Sequence, residues 1–122
     1  GIPYALYDVY VYHHTPGNSS RTGDFTVDDG VAAPIVKLGS DVGSFSGTFV
    51  EDTGTGGDYL LYSGLTGANV RISSFPTQTS GVDRAPIRAV QIVDAAVVAI
   101  PEPSAITLTA LGFMGLLIRR KR

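Results

Sequence analysis

The chain contains no cysteine and no tryptophan, and basic residues are sparse before its last four positions. Without cysteine no disulfide can hold the fold together, so stability has to come from packing or from a bound metal. Residues 1–100 carry 5 Lys/Arg and 10 Asp/Glu, a net charge of −5. Nucleic-acid binding depends on basic groups that neutralise phosphates, and we therefore expect no nucleic-acid partner.

No helical periodicity occurs before residue 104, whereas period-2 patterns and turn clusters recur throughout. Seven strands are predicted: Tyr4–His13, Asp24–Asp28, Val31–Leu38, Ser44–Glu51, Tyr59–Ser63, Asn69–Phe75 and Ile87–Asp94. This spacing predicts an all-β fold, an antiparallel β-sandwich or jelly roll over residues 1–97. Pro34 lies inside the third of these strands, which places that strand at an edge or gives it a bulge.

The chain begins with Gly1, and no apolar signal sequence precedes the first predicted strand. An exported protein requires such a signal. We therefore expect the sandwich to be incomplete at its N-terminus, with further strands upstream.

The last 22 residues have three parts: Pro101-Glu102-Pro103, an apolar stretch Ser104–Ile118, and the basic residues Arg119, Arg120, Lys121 and Arg122. The two prolines keep the backbone extended, so a helix begins only after Pro103. Fifteen residues rise only about 22 Å as a helix against roughly 30 Å of hydrocarbon, and the long stems of the basic residues extend this reach.

These parts predict a linker at 98–103, a transmembrane helix at 104–118 and a basic cytoplasmic tail at 119–122. The tail region from residue 101 carries a net charge of +3, opposite to the segment before it, which is the positive-inside arrangement. The alternative is an ordinary buried C-terminal helix, against which the four consecutive cations argue.

The same three parts, in this order, resemble the PEP-CTERM sorting signal, also described as an ice-binding-protein C-terminal-type tail. The resemblance implies a Gram-negative bacterium that makes exopolysaccharide, and an exosortase that recognises and cleaves the region Pro101, Glu102, Pro103. It also implies an inner-membrane anchor before processing and a cell-surface or extracellular destination afterwards. It implies nothing about activity, because such tails follow many unrelated ectodomains.

Three further segments, 7–12, 58–65 and 85–93, resemble the C-terminal part of galactose-binding-like jelly rolls found in bacterial surface proteins. The resemblance implies a sandwich fold and contact with carbohydrate.

Catalytic patterns are weak in this sequence. His13 and His14 are adjacent on a predicted strand, so their side chains point to opposite faces and cannot share a metal or a proton relay. Their ordinary interpretation is a strand end that meets solvent. No nucleophile-elbow sequence occurs, and the carboxylate pair Asp28-Asp29 lies beside a turn glycine. We predict that the domain is not an enzyme and needs no cofactor.

One loop is a calcium candidate. Glu51, Asp52 and Asp58 place three carboxylates around a glycine-rich segment, and calcium prefers several hard oxygen ligands. The spacing does not match an EF-hand. The alternative is a long hairpin whose acidic residues keep it soluble.

Tyr10 and Tyr12 are the candidate ligand contacts. Two residues apart on a strand, they project from one face about 7 Å apart, a separation over which both rings can stack on a sugar. The alternative is that both rings pack in the core or in an interface.

Two functions remain open. In the first, the chain is an exported, non-catalytic protein of the cell surface or extracellular matrix, whose C-terminal signal sorts and anchors it. In the alternative, it is a carbohydrate-binding module at the C-terminus of a longer secreted glycan-active protein. A catalytic domain upstream of Gly1 would favour the second function, and a signal peptide followed directly by the missing strands the first.

Overall fold

The computed structural model describes residues 1–13, 21–41, 43–78 and 84–96. They form six strands: β1 Tyr7–Tyr12, β2 Thr22–Asp28, β3 Ile35–Ser40, β4 Tyr59–Leu65, β5 Arg71–Pro76 and β6 Ala89–Asp94. The prediction of an all-β domain is confirmed for these ranges. The predicted transmembrane helix, the linker and the basic tail lie outside the described residues. Within those residues, no helix has the length and apolar character needed to cross a membrane.

The strands form two antiparallel sheets of three strands each, in the orders β4-β1-β6 and β3-β2-β5. Only the β2–β3 connection stays within one sheet, and every other connection passes from one sheet to the other. The two sheets therefore enclose a common core, as in a β-sandwich.

Side chains that alternate between buried and half-buried positions along the strands form the core. In β1, Tyr7, Val9 and Val11 are fully buried, whereas the residues between them are half-buried. The buried apolar set comes from β1, β2 and β4: Tyr7, Val9, Val11, Phe25, Val27, Leu60, Tyr62 and Leu65. The Tyr62 hydroxyl also donates a hydrogen bond of 2.7 Å to the Phe25 carbonyl, which joins the two sheets directly. Burial raises the pKa of Tyr62 well above its ordinary range.

The predicted strand Ser44–Glu51 is wrong. This segment is irregular, and its one ladder contact is a bridge between Glu51 and Tyr59. Gly43 and Gly47 adopt φ of 112° and 94°, outside the region that an extended strand requires. The turn glycines therefore override the alternating pattern here.

The strand predicted at Val31–Leu38 begins instead at Ile35. The Asp29 carboxylate accepts hydrogen bonds from the N–H groups of Val31 and Ala32, which holds the preceding residues in a turn. Pro34 thus stands just before the strand, and β3 is an edge strand of its sheet, as Pro34 predicted.

Asp29 also joins two loops at one end of the sandwich. Its Oδ2 accepts hydrogen bonds from the N–H groups of Thr66 and Gly67, at 3.0 and 3.2 Å. The Gly67 carbonyl in turn accepts a hydrogen bond from the buried Tyr7 hydroxyl. Backbone donors, with Thr66 first, lower the pKa of Asp29 to about 2. This turn acid therefore has a structural role.

Candidate functional site

Tyr10 and Tyr12 lie on the outer face of the β4-β1-β6 sheet. They alternate with the buried valines of β1, so neither tyrosine belongs to the core. Their cross-strand neighbours on this face are Leu61 and Tyr59 of β4, and Gln91 and Ala89 of β6. The structure thus excludes core packing for both tyrosines and leaves a ligand or an interface as their possible contacts.

The two tyrosines are part of a larger set of aromatic side chains, which we call the aromatic row. Its members, in order of contact, are Tyr10, Tyr59, Tyr12, Phe49 and Phe45. Successive ring centroids are 5.4, 5.7, 5.1 and 4.9 Å apart, within the range of favourable aromatic pairs. The row is therefore one continuous surface that spans β1, β4 and the β3–β4 loop.

The row is exposed at its loop end and partly covered at its strand end. Phe49 is 59% exposed and Phe45 46%, large values for phenylalanine. The Tyr12 hydroxyl donates a hydrogen bond of 3.2 Å to the Gln91 side-chain oxygen, which fixes one ring. Desolvation, with a smaller effect of the nearby Glu51 carboxylate, raises the pKa of Tyr59. The row thus presents apolar ring faces together with phenol groups that can take part in hydrogen bonds.

Sequence reasoning missed three of the five rings. Tyr59 could have been found from the sequence, because it precedes the apolar Leu60 in a predicted strand and alternation then places its side chain on the outer face. Phe45 and Phe49 were assigned to a strand that does not form, and nothing local in the sequence indicates that the loop returns to the outer face of β1.

Asp52 organises the β3–β4 loop that carries the two phenylalanines. Its side chain is fully buried, and Oδ1 accepts hydrogen bonds from the N–H groups of Gly54 and Gly56 at 2.9 and 3.0 Å. Oδ2 accepts a hydrogen bond from the Ser40 N–H at 2.6 Å and lies 3.4 Å from Nε2 of His13. One carboxylate thus ties its own loop to the ends of β3 and β1.

His13 is buried, so its interpretation as a solvent-facing strand end was wrong. Its ring stacks at 5.2 Å on Phe25, and its exposed fraction is 3%. Gly39 makes this packing possible, because a Cβ there would stand 2.7 Å from the Phe25 ring and 3.4 Å from the imidazole. The His13–Asp52 pair is therefore enclosed in the fold. His14 lies outside the described residues.

The calcium candidates do not converge. The Asp58 Oδ2 accepts a hydrogen bond from the Val50 N–H at 2.9 Å, and Asp52 is engaged as above. Glu51 and Asp52 both line a cleft of about 350 Å³, together with the cationic Lys37, and Asp58 does not line it. Within the described ranges, no group of three or more acidic, histidine or cysteine side chains is placed to hold a metal. Calcium binding by Glu51, Asp52 and Asp58 stays a prediction.

One comparison bears on function, and it concerns the C-terminal end of the sequence, after the last strand. Residues 99–122 match the family model of the PEP-CTERM protein-sorting motif. The resemblance proposed from Pro101, Glu102, Pro103, the apolar stretch and the terminal cations is thus confirmed. No curated protein and no solved structure matches the chain.

The PEP-CTERM match covers the tail and does not extend to the sandwich. It supports export and membrane-anchored sorting toward the cell surface, with an exosortase-type enzyme as the processing partner. It does not bear on the aromatic row. The resemblance of the strands to galactose-binding-like jelly rolls stays a prediction.

Proposed function

We propose that this chain is an exported, non-catalytic protein of the cell surface or extracellular matrix, held in the inner membrane by Ser104–Ile118 until an exosortase cleaves near Pro101-Glu102-Pro103. The observation that carries the proposal is the PEP-CTERM match over residues 99–122. The change from an acidic domain to a basic terminus supports the orientation, because cations resist translocation.

The proposal that the domain is not catalytic is supported by the burial of the described histidine and its carboxylate partner. The His13–Asp52 pair is closed to solvent, and its carboxylate accepts hydrogen bonds from backbone N–H groups. Ser40 contributes its backbone N–H to that pair. General acid–base catalysis requires a titratable group within hydrogen-bond reach of a substrate, which this enclosure prevents.

In a Gram-negative host, we expect export with membrane insertion and cleavage by the exosortase to be observable as two distinct steps. With a signal peptide and no exosortase, the intact chain should sediment with membranes and resist carbonate extraction. With the cognate exosortase, mass spectrometry should find the surface form ending near residue 101. Replacing both prolines, as Pro101→Ala/Pro103→Ala, should block cleavage, because alanine does not fix φ as proline does.

The control is Pro3→Ala, an exposed proline outside the PEP-CTERM motif, which should be processed normally. An intact C-terminus at Arg122 on the surface protein would argue against cleavage. A periplasmic chain that needs no detergent would contradict the anchor.

A second function, glycan binding, is favoured by the aromatic row. Sugars present apolar C–H faces between polar hydroxyls, and rings with a phenol at their tip match both. Five contacting rings on one face offer such a surface, and Tyr10 and Tyr12 lie at its strand end. The ligand class is a bacterial exopolysaccharide or another extended glycan.

The test is binding of the full chain, in detergent, to a panel of purified exopolysaccharides by affinity electrophoresis. Tyr10→Ala and Tyr12→Ala should each weaken binding by about 1 to 3 kcal/mol, the scale of one ring stacked on a base. Phe75→Ala is the matched control, since Phe75 is 71% exposed but on the opposite sheet.

Folded tyrosine variants that bind as the wild type does would remove both residues from the site. Release of reducing ends from any polysaccharide in the panel would contradict the non-catalytic proposal.

A further inference from the structure

Lys37 and Glu51 line one cleft without forming an ion pair with each other. The cleft has a volume of about 350 Å³, and its other lining residues come from β3, β4 and the loop that joins them: Leu38, Asp52, Thr53, Gly54 and Leu60. Pockets that bind small ligands have volumes of about 300 to 1,000 Å³ and combine apolar walls with a few polar groups. The cleft therefore has the size and the lining of a small-ligand site.

The Lys37 ammonium is held in place at one wall of the cleft. It donates a hydrogen bond to the Leu61 carbonyl of β4 and lies 5.4 Å from the centre of the Tyr62 ring. An ammonium group has three donors, so two N–H groups remain for other acceptors. Because the carbonyl carries no net charge, the positive charge of Lys37 is not neutralised by this contact. The cleft thus contains a positioned cationic donor.

The Glu51 carboxylate differs from the two other carboxylates of its loop. Asp52 and Asp58 accept hydrogen bonds from backbone N–H groups. From the described residues, the Glu51 carboxylate accepts no hydrogen bond. An ionised carboxylate is an acceptor on both oxygens. Its oxygens are therefore available to a ligand in the cleft.

Glu51 also connects the cleft with the aromatic row. Its backbone forms a parallel bridge with Tyr59, and paired residues of neighbouring strands project to the same face. Desolvation, followed by the charge of the Glu51 carboxylate, raises the pKa of Tyr59, which agrees with this placement. The Tyr59 ring in turn contacts Tyr10 and Tyr12. A chain-like ligand on the row therefore meets the cleft at Glu51.

The two charged groups together favour a neutral ligand that carries hydroxyl groups. An ammonium only donates and a carboxylate only accepts, whereas a hydroxyl does both. Two neighbouring hydroxyls of a sugar ring can accept from Lys37 and donate to Glu51 at the same time. The C–H face of the ring is then left for the apolar wall, where Leu38 is 46% exposed. An acidic sugar meets a like charge at Glu51 and a basic sugar meets one at Lys37, which disfavours both.

We propose that the Lys37–Glu51 cleft is a second subsite beside the aromatic row, and that it binds one neutral sugar unit of the same glycan through two neighbouring hydroxyls. The proposal rests on glycan binding by the row, as proposed above. The rings supply apolar contact that any sugar face can use. The charged pair supplies directed hydrogen bonds, so the cleft selects the sugar unit that the row alone does not distinguish.

The test is affinity electrophoresis of the full chain in detergent, with purified neutral exopolysaccharides. Glu51→Ala and Lys37→Met should each weaken binding about tenfold or more, because each removes a hydrogen bond to a charged group. The double variant should be little weaker than either single variant, since both groups hold the same sugar unit. Independent, multiplying losses would contradict a shared sugar unit.

Alginate, a polymer of acidic sugars, is the charged probe. Wild type should bind it more weakly than the neutral polymers, and Glu51→Gln should reduce this difference because the like charge is removed. A purely structural role of Glu51 would leave the ratio of the two affinities unchanged. A wild type that prefers alginate would overturn the choice of a neutral sugar.

Arg71→Met is the matched control, because it removes a cation from β5 in the opposite sheet and should bind as the wild type does. Lys37→Met also loses the hydrogen bond to Leu61, so its urea midpoint is measured alongside. Folded Glu51→Ala and Lys37→Met that bind as the wild type does, while Tyr10→Ala binds more weakly, would overturn the subsite and leave the row. A wild-type chain that binds no polysaccharide would overturn both.

Discussion

Replacing Asp52 with alanine is expected to destabilise the domain by about 3 to 5 kcal/mol, because three backbone donors lose their acceptor at once. The donors belong to Ser40, Gly54 and Gly56, and the carboxylate that they share is fully buried. His13 loses its contact with Oδ2 as well. Urea denaturation of the full chain in detergent, followed by near-ultraviolet circular dichroism of the tyrosines, measures the change.

Asp8→Ala is the matched control for this prediction. The Asp8 carboxylate accepts one exposed hydrogen bond, from the Gly64 N–H at 3.0 Å, so its loss should cost about 0.5 to 1.5 kcal/mol. Asp52→Asn should fall between the two, because its oxygen can still accept from Gly54 and Gly56 while its amide opposes the Ser40 N–H. Equal losses for Asp52→Ala and Asp8→Ala would show that the buried carboxylate does not organise the loop.

This carboxylate network also shows why the candidate site was only partly predictable. Its donor Ser40 stands 12 residues before Asp52, and His13 stands 39 residues before it. No spacing rule relates them, since they meet only after β1 and β3 join different sheets. Sequence reasoning therefore assigned Asp52 to a calcium loop, whereas the structure engages it with backbone donors.

The strands themselves were more accessible to sequence reasoning. The alternation places Tyr10 and Tyr12 on the face opposite Val9 and Val11, and the structure has the same division. Pro34 indicated the edge position of β3 because proline cannot donate to a ladder. Alternation failed where Gly43 and Gly47 interrupt the backbone, because a hydrophobic pattern carries no information about positive φ.

The tail was recognisable because all parts of its motif are contiguous in the sequence. A tripeptide, an apolar stretch and a basic terminus follow each other directly in the sequence, so the PEP-CTERM match was predictable from residues 101–122 alone. The aromatic row is the opposite case. Its rings come from β1, β4 and the β3–β4 loop, which are distant in the sequence. Its two most exposed rings, Phe45 and Phe49, come from the segment that was wrongly predicted to be a strand.

The second large effect concerns the core. Tyr62→Ala should destabilise the domain by about 3 to 5 kcal/mol, since it leaves a cavity of aromatic size between the sheets. It also removes the hydroxyl that donates to the Phe25 carbonyl at 2.7 Å. Tyr62→Phe isolates that bond and should cost about 0.5 to 1.5 kcal/mol. Both losses are read from urea midpoints at unchanged m-value.

Tyr59→Ala provides the comparison, because Tyr59 is on the same strand with its ring on the outer face. Its removal breaks two ring contacts of the aromatic row but opens no cavity in the core, so the stability loss should be about 1 to 2 kcal/mol. If the row binds glycan, Tyr59→Ala should weaken binding while Tyr62→Phe leaves it unchanged. Equal losses of stability for Tyr59→Ala and Tyr62→Ala would contradict the division of β4 into a core face and a ligand face.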